Sequence, residues 1–422
     1  MTDTEYRPAK NRTIPIGIAA TVLIVATIGL FMANRPGAVR LSKASVEELQ
    51  VEASRRPNDG DVGLYYAHAL NETGDSQRAY EVMKKVVAKH PESTLYKTRL
   101  AEYAAINGHA TETVGLYHRI LEMDPRNADA HSELGHIYSE AGLLTDATQE
   151  YDTALKLDPK VWYDPAIYAT DLAHVGRDED AWNQLTFYFN RQPHMDEPYD
   201  TLTDVGIRLK RYDETERLLL RRIRLDHEYN VNRFQYDVAR VIMARPHGPN
   251  TLQDAAVFAD AGAYSRMGKW WLIPDEPTPN EARWFALYAD ILHQLGRDAE
   301  ARTTLTDGLY LDPFNPECLR QLAELSAAHK DPKAAFWRKM VYVATHANGE
   351  VAALDGAITA HPSDPKPLLA KAAYLERQQL FGDAAELCVK ALALAPNDAS
   401  ARAQLDRCRR SAVAKLETDA SE

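Results

Sequence analysis

Apolar residues recur along most of this chain three and four positions apart, the spacing of one helix face. From residue 60 onward the stripes come in pairs, and the pair repeats every 34 residues. In the first helix of each pair a small residue recurs as Ala67, Ala101, Gly135 and Ala169. In the second helix a small position reads Ala79, Thr113, Ala147 and Ala181, and a large one four residues on reads Met83, Tyr117, Tyr151 and Leu185. Antiparallel helices approach closely only where the crossing side chains are small, and large residues fill the holes between neighbouring pairs. The same step carries Gly74, Gly108, Gly142 and Gly176, which predict a left-handed residue ending each first helix. It also carries Pro91, Pro125, Pro159 and Pro193, which stop the second helices for want of an N–H. Asp-Pro at Asp124-Pro125, Asp158-Pro159 and Asp312-Pro313 adds turn chemistry at that break.

The stretch Asn127 to Pro159, NADAHSELGHIYSEAGLLTDATQEYDTALKLDP, resembles the tetratricopeptide repeat nearly throughout. The resemblance extends over roughly residues 60–422. It implies an all-α fold: a right-handed superhelical solenoid of about nine helix pairs, preceded here by one transmembrane helix. It also implies a surface that holds other molecules rather than a reaction site, and it does not name the partner.

The beat slips after the fourth pair. A fifth keeps the spacing with Lys210, Thr215, Leu219 and His227 but has lost both glycine and proline. The pattern returns at Gly296, Ala301, Leu305 and Pro313. Between them we expect one divergent pair, near Asn232–Ala244 and Leu252–Met267, with ARPHGPN and GKWWLIPDEPTPN as long loops. A further repeat follows at Lys330, Ala335 and Ala347, an extra short helix is expected around Val351–Ala360, and Pro396 closes the last pair. Ala401, Leu405, Cys408, Ala412 and Leu416 form one helical stripe over Ala399–Leu416, expected to cap an open stack. The divisions are a leader 1–13, a span 14–33, a linker 34–59 with one short helix near Glu47–Glu52, and five repeats over 60–229. The divergent pair takes 230–280, three further repeats take 281–397, and the capping helix and tail take 398–422.

Ile14 to Ala33 is a run of 20 residues without a charge, enough helix for roughly 30 Å of bilayer core. Phe31 occupies a place where a cleavable signal would need a small residue, so a retained anchor is expected. Arg7, Lys10 and Arg12 before the span balance Arg35, Arg40 and Lys43 after it, so flanking charge does not choose a side. A short charged leader left in the cytoplasm would put the repeats outside, in a bacterial periplasm. The expectation is therefore a single-pass inner-membrane protein.

Composition excludes more than it identifies. The net charge of −12 argues against non-specific binding to nucleic acid or anionic lipid. Three cysteines are too few for a disulfide framework. Cys388 and Cys408 fall on apolar helix faces, where buried thiols are expected and a bridge is the alternative in an oxidising compartment. No zinc, haem, zincin or nucleophile-elbow motif occurs. GAYSRMGKW has one residue too many for a phosphate loop and Trp270 where Ser or Thr must meet magnesium. No catalytic residue, metal or cofactor is expected, and the 14 histidines are scattered.

Two surfaces remain. In a stack of this kind the first helices line the inner face, and its early positions read acidic and polar. His68, Glu102, Asp129, His136, Glu140, Asp200 and Asp204 are the candidate binding residues, with Ser132 and Arg283 among their neighbours. Some members of the repeat family grip a partner's C-terminal carboxylate with Lys and Arg on successive first helices. The matching places here hold Leu64, His68, Thr98 and Glu102, so that clamp is absent. The second surface is the loop at Trp270 and Trp271, a hot-spot candidate whose alternative is packing against the divergent pair. The function expected is a non-enzymatic, membrane-tethered scaffold holding a basic or extended segment, or a helix, of a protein partner. It would assemble or localise a cell-envelope complex in secretion, cytochrome maturation or polysaccharide export. A mitochondrial outer-membrane type of receptor and an accessory subunit of a membrane-bound enzyme are the alternatives.

Overall fold

The computed structural model describes residues 41–192, 198–225, 231–246, 251–267, 282–346 and 349–419. These residues form 21 α-helices, and among them there is no strand. In chain order, α1 is Val46–Arg55, α2 Gly60–Glu72, α3 Ser76–Lys89, α4 Thr94–Ile106, α5 Ala110–Met123, α6 Ala128–Glu140 and α7 Leu144–Leu157. Then follow α8 Pro165–His174, α9 Asp178–Arg191, α10 Tyr199–Arg208, α11 Tyr212–Leu225, α12 Val231–Ala244 and α13 Thr251–Met267. The rest are α14 Ala282–Gln294, α15 Asp298–Leu311, α16 Pro316–Ala328, α17 Ala334–His346, α18 Gly349–Ala360, α19 Pro365–Arg377, α20 Phe381–Leu394 and α21 Ala399–Asp419.

Local chemistry sets the ends. Asp59, Asp75, Ser93 and Asn127 accept from backbone N–H groups of the first turns they precede, at 2.9–3.3 Å. Asp164 does the same for α8, with Pro165 in the first turn. Gly74, Gly108, Gly142, Gly176 and Gly296 take φ between 72° and 87°, so the left-handed exit read from the repeat is present. Where the glycine is lost the conformation is kept: Lys210, Lys330 and Gln379 sit at φ 58°, 52° and 60°. The Asp-Pro turns close as expected, with Asp124, Asp158 and Asp312 each accepting from the N–H two residues on, at 2.8–3.1 Å.

The chain divides into two compact units. Among the described residues, unit 1 comprises 41–163, 375–386 and 399–419. Its core is the one the spacing predicts, with Ala67, Ala101, Ala79 and Ala147 fully buried beneath Met83, Tyr117 and Tyr151. At the close crossing of α6 and α7, a Cβ on Gly135 would lie 3.0 Å from the Tyr151 ring. The short helix expected in the linker is α1. A capping box between Ser45 and Glu48 starts it, and Leu49 is buried in the core of the first repeats.

One expectation is changed. The C-terminal helix does more than close the last pair: α21 packs on α5 and α6, at the other end of the sequence. The stripe expected of a cap, Ala401, Leu405, Cys408 and Ala412, is indeed buried. Val413 next to it is buried too, and Leu416 packs on the first-repeat core. All three cysteines are buried thiols and no disulfide forms.

Unit 2 comprises residues 164–374 and 387–398. The divergent pair appears as α12 and α13, within a residue of the expected starts. The extra short helix is α18. Aromatic stacking fills the middle of this unit, with Phe189 on Tyr199 at 3.9 Å and Tyr199 edge-on to Phe234 at 5.1 Å between ring centroids.

Candidate protein-binding faces

In unit 1 the first helices α2, α4 and α6 bring together most of the residues singled out in the sequence. Glu102 is not an open acceptor. Its side chain is 16% exposed and both its oxygens lie 2.7 Å from the Arg99 guanidinium, itself only 7% exposed. Burial raises the Glu102 pKa, Arg99 lowers it, and the Asp129 carboxylate raises it again. Asp129 is exposed on α6. His136 lies 3.5 Å from Glu140, one turn on, and edge-on to Trp162 at 6.5 Å. His68 lies 3.5 Å from Glu72, and burial lowers its pKa, with Glu72 opposing and Arg99 adding to the shift.

The residue that organises this patch was missed. Glu133 is one turn after Asp129 and one heptad before Glu140, on the same stripe of α6. Burial, then the charges of Glu102, Asp129 and Glu140, push its carboxyl up to about 8. Partial burial pushes Glu140 up to about 7. The sequence reading took Ser132 as the exposed position there. Ser132 is instead buried and donates to the Trp162 carbonyl at 2.5 Å. The stripe 129, 133, 136, 140 would have found Glu133. The patch therefore holds Glu102, paired with Arg99, together with Asp129, Glu133 and Glu140, and burial raises the pKa of both Glu133 and Glu140.

Unit 2 treats its acids differently. Asp204, expected as an open acceptor, is ion-paired to Arg240. Asp200 lies 3.8 Å from Arg283. Both arginines also flank Tyr236, Arg240 at 5.8 Å and Arg283 at 5.6 Å from the ring centre, and Trp284 stacks on that ring at 5.5 Å. Asp237, 0% exposed, is bonded to Arg240 at 3.2 Å. Burial first, then the Asp200 carboxylate, hold the Asp237 pKa well above the usual carboxylate range, against the pull of Arg240. Asp200 and Asp204 are thus committed to a network inside unit 2.

Trp270 and Trp271 lie outside the described residues, as does the span 14–33. Among the described residues no helix is long and apolar enough to cross a membrane. Among them also, no group of His, Cys, Asp and Glu could hold a metal ion.

Residues 104–170, which run from the end of α4 through α5, α6 and α7 into α8, match the tetratricopeptide repeat family. No curated protein matches the sequence. Among solved structures, a tetratricopeptide repeat protein from Parabacteroides merdae aligns over 64% of this chain and 98% of its own, at 15% identity and a TM-score of 0.39. Yeast Tom70 aligns over 68% of this chain and 58% of its own, at 16% and 0.36. A MamA protein aligns over 42% and 94%, at 16% and 0.33. At that distance these likenesses carry no argument about partners.

Proposed function

We propose that this chain is a tethered tetratricopeptide repeat scaffold that receives a cationic segment of a partner protein on the first-helix face of unit 1. The observation that carries this reading is the gathering of carboxyls there: the charges of Glu102, Asp129 and Glu140 all act on Glu133, and only Glu102 is paired, with Arg99. A Lys or Arg from a partner would supply the missing positive charge, and in a partly desolvated patch that pairing is worth more than on an open surface. Extended polar positions flanking the patch suit a peptide or a helix. The tether is the apolar run Ile14–Ala33, and we assign the repeats to the periplasmic side of a bacterial inner membrane.

A photo-crosslinking residue at Asp129, with one at Asp152 on α7 as control, tests the face in the native membrane. The reading expects a protein adduct from position 129 whose crosslinked segment carries Lys or Arg, and none from position 152. Equal adducts from both positions, or none, would remove this face from consideration. Alkaline phosphatase fused after Glu422 tests the side, since an inactive fusion puts the repeats in the cytoplasm.

A further inference from the structure

Helix α17 of unit 2 turns outward the face that its place in the repeat assigns to the core. In the regular second helices the residues that match Ala335 are Ala79, Thr113, Ala147, Ala181, Thr215 and Ala301, and all are 0% exposed. Those that match Lys339, among them Met83, Tyr117 and Leu305, are large, apolar and buried. Gly308, which matches Tyr342, is held between two first helices: a Cβ there would lie 2.9 Å from the Phe285 Cβ of α14 and 3.0 Å from the Cys318 Sγ of α16. In α17 all three places are exposed, Tyr342 by 62%. The cause is local. Helix α15 starts at Asp298, directly after the turn at Gly296 and Arg297. After Lys330 the chain instead makes an Asp-Pro turn, with Asp331 accepting from the Lys333 N–H at 2.9 Å, and α17 starts only at Ala334. Ala334 then becomes the buried small residue in place of Ala335, and Phe336 and Val343 come out with Tyr342. Phe336, Lys339, Tyr342 and Val343 lie three and four residues apart, on one side of the helix.

We propose that the outward face of α17 docks an amphipathic helix of a partner protein, one that carries an Asp or Glu within its apolar stripe. This surface lies in unit 2 and does not depend on the unit 1 patch. Two observations choose the occupant. The first is the register itself: where the preceding pair presents Gly308, first helices cover it on both sides, so the shape that fits this position is a helix. The second is charge. Lys339 stands one turn from Phe336 on one side and from Tyr342 and Val343 on the other, at a place where the other second helices hold a large apolar side chain. A wholly apolar helix laid on this face would bury an unpaired ammonium, which is costly. An acidic residue opposite Lys339 removes that cost, and the lysine stem adds to the apolar contact. Helix α17 contains no acidic residue that could answer Lys339 from within, and Arg338 beside it adds a second positive charge. The rings of Phe336 and Tyr342 supply the apolar anchors that such helix-on-helix recognition uses.

The test places a photo-crosslinking residue at Tyr342 of the full-length chain in its native membrane, with one at the exposed Thr306 of α15 as control. Position 342 should give an adduct with another protein and position 306 should not. Mass spectrometry of the crosslinked peptide should show apolar residues three and four apart with an Asp or Glu among them. Lys339→Glu should lower the yield at least tenfold, and Lys in place of the mapped acid of the partner should restore it. Because Lys339 is exposed, circular dichroism and thermal unfolding of Lys339→Glu should match the unchanged chain. No adduct from position 342 overturns the proposal, as does an adduct with lipid, with a second copy or with another part of the same chain. A protein adduct on a segment without helical spacing, or one whose yield is the same in Lys339→Glu, overturns it as well.

Discussion

The first-helix patch of unit 1 and the network of unit 2 are both built from acidic residues of neighbouring helices, yet they differ in balance. In unit 1 only Glu102 meets an arginine, Arg99, while burial raises the pKa of Glu133 and Glu140. In unit 2 Asp200, Asp204 and Asp237 meet Arg240 and Arg283. An acidic stripe in a sequence is therefore not by itself an open acceptor. What decides is whether arginines complete the charge, as Arg240 and Arg283 do in unit 2.

The largest separation between the two should come from removing an arginine. Arg240→Ala leaves Asp204 and the buried Asp237 without their shared cation, and a loss of roughly 3–5 kcal/mol in urea unfolding is expected. A loss below about 1 kcal/mol would show that the unit 2 network does not hold the fold. Next in size is packing. Gly135→Leu in unit 1 drives into Tyr151 and should cost about 1–3 kcal/mol, and Gly206→Leu in unit 2 runs into Thr215 and should cost as much or more. Gly176→Val meets no neighbour but is held at φ +82°, so any loss of thermal stability there measures backbone strain alone.

Proton linkage sharpens the comparison further. Glu133 titrates at about 8 in the folded chain against an ordinary value of 4.5, so the folded state binds the proton more tightly. Its stabilising contribution is complete below about pH 4.5 and is lost as pH rises to about 8. Hydrogen exchange in α6, corrected for intrinsic rate, should accordingly quicken between pH 6 and pH 8.5. Glu133→Gln, which keeps the neutral form, should flatten that trend, and an unchanged slope would mean the carboxyl is ionised throughout. The smallest effect belongs to Asp129→Lys. Because Asp129 is exposed, unfolding should shift by no more than about 0.5 kcal/mol, while crosslinking of a partner across the patch is lost.

The helices themselves were legible because a repeat shows each rule several times. Gly135 and Ala147 alone say little, but the same small residue at every 34th position says that two helices cross there. Lys210 and Lys330 were placed correctly even without glycine, since neighbouring beats fixed where the left-handed turn must come. The faces were less legible. Arg283 is some 80 residues from Asp200, and their meeting depends on how the divergent pair α12 and α13 sets the following helices, which no spacing rule supplies. Glu133 was passed over because helical phase is uncertain by one residue, and Ser132 is the polar residue next to it. The docking of α21 had no local signal at all. Its stripe reads equally well as a cap for the last pair, and its arginine and glutamate partners lie hundreds of residues upstream.

That docking bears on how the chain comes into being. Unit 1 is drawn from distant parts of the chain: the residues up to 163 leave the ribosome well before α21, which begins at residue 399. At ~5–20 residues per second, the early repeats wait on the order of 10–50 s before Glu386, Arg409 and Glu417 exist to cap and pair with them. Throughout that interval the Thr111 and Thr145 N–H groups, in the first turns of α5 and α7, stand without Glu417 and Glu386, the carboxylates that accept from them in the folded chain.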